Sequence, residues 1–257
     1  VNYIEQVFST FLYTGNGSAQ TITNGIDLST YGGMVWLKTR NVAGSNYVQD
    51  TARGATQSLY TNSTAASGTA NILSSFTSSG FVDNNQFTSG DTLASWTFRK
   101  QPKFFDVVTW TGDGTTTRQV PHNLASTPGC VFYKKTNTTA NWVVWHRSTS
   151  NYGAILNSTA GFIYGPFAST PVSSTNLEVG SDVGFGLNDS GTTYVAYLFA
   201  HNAGGFGSSG TDNVISCGSY TTDGSGNASV TLGYEPQWLD RKSTRLNSSH
   251  TDISRMP

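Results

Sequence analysis

Two stretches, "NYVQDTARGAT" (Asn46 to Thr56) and "NWVVWHRSTSN" (Asn141 to Asn151), combine aromatic, charged and guanidinium side chains. The first carries Tyr47, Asp50 and Arg53; the second carries Trp142, Trp145, His146 and Arg147. Aromatic rings with hydrogen-bonding groups nearby suit sugars, whose apolar faces stack while their hydroxyls are bonded. Tyr47, Asp50, Arg53, Trp145, His146 and Arg147 are therefore the candidate ligand-binding residues, with a sugar as the candidate ligand. The competing reading is an internal Asp–Arg brace with core tryptophans, since most such residues serve packing.

Catalytic chemistry finds little support. The glutamates are Glu5, Glu178 and Glu235, and their spacing nominates no pair of carboxylates of the kind a glycosidase needs. His146 stands beside Ser148 without a nucleophile elbow, and Cys130 lies inside an apolar strand. The expectation is a protein that is not an enzyme, with no catalytic residues and no cofactor. "DGSGN" (Asp223 to Asn227) resembles a fragment of a calcium loop, but calcium needs six to eight oxygens and the EF-hand spacing is absent. Turns explain it better, and no metal site is expected. Cys130 and Cys217 form neither a CxxC pair nor a disulfide framework and read as small buried apolar residues.

The elements that would position these residues follow from composition. Charged residues are 11% of the 257-residue chain and aromatics 12%, with 28 Gly. Gly, Ser, Thr and Asn disfavour helix and favour short strands joined by turns. The net charge is −1, so electrostatic capture of nucleic acid or of an anionic membrane is not expected. No run of apolar residues is long enough for a membrane span, and no signal-peptide pattern opens the chain. It begins at Val1 rather than Met, as an internal fragment would.

Self-similarity organises the rest. "FLYTGNGSAQTI" (Phe11 to Ile22) reappears as "VTWTGDGTTTRQV" (Val108 to Val120) and as "GSYTTDGSGNASV" (Gly218 to Val230). In each, an aromatic and a Thr precede Asn16-Gly17, Asp113-Gly114 or Asp223-Gly224, dipeptides that suit a type I′ hairpin turn. "GGMVWLKTR" (Gly32 to Arg40) matches "PGCVFYKKT" (Pro128 to Thr136), and "PQWL" (Pro236 to Leu239) begins a third version. "TLASWTFR" (Thr92 to Arg99) matches "TYVAYLFA" (Thr193 to Ala200). Alternate strand positions share a face, so Ala94, Trp96 and Phe98 should line one core and Val195, Tyr197 and Phe199 an equivalent one.

The expected fold is all-β: tandem antiparallel β-sandwiches of two-layer or jelly-roll type, about seven strands each, with a helical turn near "RGATQSL". The units should span residues 1–101 and 102–203, with a truncated third at 204–239. One larger jelly roll spanning both copies is the alternative.

The closing stretch "DRKSTRLNSSHTDISRMP" (Asp240 to Pro257) breaks the pattern. Aligning Pro236 with Pro128 puts Asp240 and Arg241 opposite Phe132 and Tyr133, where a core strand needs apolar side chains. DRKSTRLNSSH is also the in-frame reading of a common short-read sequencing adapter, and "SRMP" fits its continuation. Residues 240–257 are accordingly read as translated adapter.

"MVWLKTR", "DTARGAT", "WTFRKQPKFFDVVTWTGDG", "TTYVAYLFAHNAGGFG" and "TDNVISCGSYTTDGSGNASVTLGYEPQWL" carry a resemblance to tandem-repeat proteins of marine phages and viral metagenomes, described as concanavalin A-like lectin or tail-fibre-type virion proteins. In such proteins "PQWL" continues into an apolar pair and a Lys, which this chain lacks. The resemblance implies a virion structural protein, tail-fibre-like, whose partners are other virion proteins and host-surface glycans, with homo-oligomers as in fibres. A bacterial surface adhesin, extracellular or on the cell surface, and a glycan-active enzyme module are the alternatives.

Overall fold

The computed structural model describes residues 1–149, 152–161, 163–164, 172–181 and 185–241. Up to Arg99 the strands are β1 (Phe8–Thr14), β2 (Ala19–Thr23), β3 (Gly33–Thr39), β4 (Asn46–Asp50), β5 (Gly54–Tyr60), β6 (Leu73–Thr77), β7 (Gly80–Asn84) and β8 (Thr92–Arg99). Beyond it come β9 (Phe105–Thr111), β10 (Arg118–Pro121), β11 (Cys130–Lys135), β12 (Val143–His146), β13 (Tyr152–Ile155), β14 (Ile163–Tyr164), β15 (Asn176–Val179) and β16 (Thr193–Phe199). All pairings between these strands are antiparallel. The helical turn falls at α1 (Leu28–Tyr31), capped by the Asp27 carboxylate accepting from the Thr30 N–H. The segment "RGATQSL", expected to hold a helical turn, is instead largely strand β5. Gly54, Leu59 and Tyr60 pair with Asp50, Val48 and Tyr47 of β4, and tertiary pairing overrides weak local propensity.

The order β1-β8-β3-β4-β5 in the first large sheet matches β9-β16-β11-β12-β13 in the second, which adds β14. Small sheets β2-β7-β6 and β10-β15 cover their outer faces. Ile22, Val35, Leu37, Phe81 and Leu93 fill the first outer core; Val120, Val131, Tyr133, Leu177 and Tyr194 fill the second.

The largest core lies between the two large sheets and corrects the expectation of separate, equivalent cores. Ala94, Trp96 and Phe98 share it with Val195, Tyr197 and Phe199. The Phe98 ring meets Phe105 at 5.4 Å and Phe199 at 5.6 Å. Each triplet does line one face of its strand, but the opposite faces are buried too, Leu93 and Tyr194 pointing into the outer cores. Four layers result, with the chain's aromatic surface concentrated in the middle.

The first two of the three turns, Asn16-Gly17 and Asp113-Gly114, are not hairpins either. β1 and β2 belong to different sheets, as do β9 and β10, so each turn is a corner between layers. Gly17 (φ 73°) and Gly114 (φ 80°) take the left-handed backbone, whereas Asn16 and Asp113 do not, which excludes type I′. The preceding side chain closes the turn instead: Asn16, Asp113 and Asp223 each accept from the N–H two residues on, at 2.8, 3.0 and 2.9 Å.

Residues 204–241 contain no strand. Val214, Ile215 and Cys217 pack against the central core, and Trp238 closes its edge, 6.1 Å from Trp36 and 5.4 Å from Phe98. "PQWL" thus supplies a plug to the existing core. Asp240 is half-buried and Arg241 exposed, so neither charge enters a core strand. Residues 242–257 lie outside the described residues.

Candidate functional site

The six residues proposed from sequence separate into four environments. Asp50 ends β4 with its side chain wholly buried, and Arg53 is 7% exposed. Arg53 Nε donates to Asp50 Oδ2 at 2.6 Å, and its Nη2 donates to the Tyr197 hydroxyl at 3.1 Å. That hydroxyl in turn donates to Asp50 Oδ2 at 2.6 Å. Ser67 Oγ and the Val48 carbonyl take further guanidinium protons. Burial holds the Tyr197 phenol well above its ordinary pKa, and the Asp50 carboxylate beside it acts in the same direction. The group is an internal brace joining the two halves, closed to a sugar.

Tyr47 is packed edge-on against Tyr60 at 5.5 Å and Phe87 at 5.9 Å, beside the first outer core. Trp145, 6% exposed, is committed to the second outer core. Trp142, wholly within the central core, stacks on Tyr197 at 6.0 Å and donates its indole N–H to the Tyr60 carbonyl at 2.8 Å. A tryptophan offered to a ligand would lose this packing, so these rings are not a platform. Positions 150 and 151 lie outside the described residues.

His146 and Arg147 remain near the surface where β12 ends. His146 Nδ1 accepts from the Ser148 N–H at 3.2 Å, and His201 Nδ1 accepts from the Cys217 N–H at 3.0 Å, which assigns the ring protons to Nε2. Burial pushes both imidazoles below their ordinary pKa, and the Arg147 charge adds to it. Cys217 lies against Gly129, next to Cys130; burial pushes its thiol up to about 12, the state of an unreactive packing residue. Among the described residues no group of three His, Cys, Asp or Glu side chains could hold a metal ion.

A second feature was missed in the sequence. On the outer face of the second large sheet a cleft of about 370 Å³ opens between β11, β12, β13 and the Phe185–Leu187 turn. Val143, Ile155 and Leu187 form its floor over the buried Tyr133; Phe185, Asn141 and Lys135 stand at its rim. Lys135 Nζ pairs with Asp189 Oδ2 at 2.5 Å. Lys134, on the other face of β11, donates to the Thr64 carbonyl of the first half at 3.1 Å and to the Ala140 carbonyl at 2.8 Å. Burial pushes its amine down to about 8.

Fold and site together define an all-β protein of two joined antiparallel sandwiches. Residues 5–255 match the family model described as Domain of unknown function (DUF7483), and the chain belongs to that family; the matched range includes Asp240 to Arg255. Comparison with curated proteins and with solved structures found no match.

Proposed function

We propose that this chain is a non-enzymatic structural protein of a phage particle, tail-fibre-like, acting as a rigid double sandwich among other virion proteins. The observation that carries the reading is the central core, in which both large sheets bury their aromatic faces on each other around the Asp50–Arg53–Tyr197 brace. Such a block transmits position and load between its ends, whereas a catalyst needs converging titratable groups. The resemblance of "WTFRKQPKFFDVVTWTGDG" to virion proteins supports the same reading, and residues 240–257, taken as adapter sequence, have no part in it.

Antibodies raised against the purified chain provide the test. Gold labelling of phage particles is the expected result; labelling confined to bacterial cell surfaces would replace this role with that of an adhesin. A second reading, recognition of host-surface glycans by the same protein, is favoured by the rimmed cleft of the second half.

A further inference from the structure

We infer that the cleft over Val143 and Ile155 is a saccharide-binding site, formed by the second sandwich and closed in the first; the inference rests on the glycan-recognition reading above. The strand registers carry the comparison. In the first half the ladder across the large sheet runs Ser95, Leu37, Tyr47, Tyr60; in the second it runs Ala196, Tyr133, Val143, Ile155. Tyr47, Tyr60 and Phe87 pack ring against ring and fill the outer surface at that point in the first half. The second half has the aliphatic Val143 and Ile155 at the matching rungs, its large ring one strand earlier at Tyr133, and the cleft lies above them. The opening is thus a substitution of small for large side chains in an otherwise matched framework.

The chemistry of the walls selects the ligand. The floor is apolar, and Phe185 is a half-buried ring at its side, which suits the C–H face of a sugar. Lys135, whose ammonium is held by Asp189 beside the cleft, offers a charged donor for a sugar hydroxyl. Asn141 accepts from Asn157 Nδ2 at 2.9 Å through its carbonyl oxygen, which leaves its own amide NH2 for a ligand oxygen. A purely apolar guest would desolvate the ion pair without replacing its hydrogen bonds with water. The volume lies near the lower end of small-molecule sites, roughly 300–1,000 Å³. A single shallow site of this kind binds weakly and acts through several copies.

The test is NMR titration of the full chain with lactose, maltose, cellobiose and N,N′-diacetylchitobiose. At least one should shift the resonances of Asn141, Val143, Ile155 and Phe185 while sparing Tyr47 and Tyr60. Val143→Tyr, which installs the first half's residue, should weaken that binding at least tenfold; Lys135→Met and Asn141→Ala, at the rim and outside the packed floor, should each weaken it several-fold with the fold retained by circular dichroism. Rim variants that fold and bind like the parent overturn the site, as does the absence of shifts there with every disaccharide. Retention on host polysaccharide by the parent and the rim variants alike would sink the cleft and leave glycan recognition standing elsewhere; no retention by any of them would sink both. The particle role is decided separately by gold labelling.

Discussion

The Tyr197 hydroxyl donates to the Asp50 carboxylate at 2.6 Å across 147 positions of sequence, and no solvent reaches the pair. Tyr197→Phe keeps the ring against Trp142 and removes the hydroxyl, leaving Asp50 Oδ2 with Arg53 alone and Arg53 Nη2 with only the Val48 carbonyl. Urea unfolding should show a loss of about 1–3 kcal/mol, the cost of a buried group deprived of its partner. Asp50→Ala, which strands the buried guanidinium, should cost about 3–5 kcal/mol. Equal stability of all three proteins would mean that the brace does not hold the halves together.

A shared core makes the two halves one cooperative unit. Trp96→Ala and Phe199→Ala, one in each half, should each cost about 3–5 kcal/mol and lower the same single transition. Two transitions, each moved by only one of the variants, would restore the picture of independent sandwiches.

Which side of a strand is apolar was legible in the sequence; what covers it was not. Alternation in "TLASWTFR" puts Ala94, Trp96 and Phe98 on one face, as observed. Ser95 and Thr97, polar in type and on the opposite face, are nevertheless buried between layers. The corner turns show a similar limit. Asn-Gly and Asp-Gly announce a turn through local hydrogen bonds, but whether the next strand pairs with the last or crosses to another sheet depends on distant partners. The Asp50–Arg53 pair is local, three residues apart, and its role as a brace was among the readings available; Tyr197 as the third member was not, because nothing local marks it. Val143 and Ile155 acquire meaning only beside Tyr47 and Tyr60, once register aligns the rungs.

Stability should depend on pH through Lys134. Its folded-state pKa, about 8, lies below the ordinary 10.5, so between these values the unfolded chain binds the extra proton. Unfolding free energy therefore rises with pH across that window, by at most about 3 kcal/mol, and the advantage is lost as pH falls back through 8. Lys134→Met should remove this part of the slope. Identical pH profiles for variant and parent would show that the two carbonyls keep the amine charged throughout.

The adapter reading of the closing stretch has a direct consequence, although the family match runs on through it. A chain ending at Arg241 should melt within about 0.5 kcal/mol of the full one, as unpacked surface changes do. A clear loss of stability would identify residues 242–257 as native sequence.

The claim on which the account turns is that two sandwiches form one rigid block. The most direct measurement is the distance distribution between spin labels on Val42→Cys, exposed in the first half, and Thr138→Cys, exposed in the second, with Cys217 replaced by Ser. The account predicts one narrow distance that does not change with salt or dilution. A broad distribution, or several distances that shift with conditions, would contradict it.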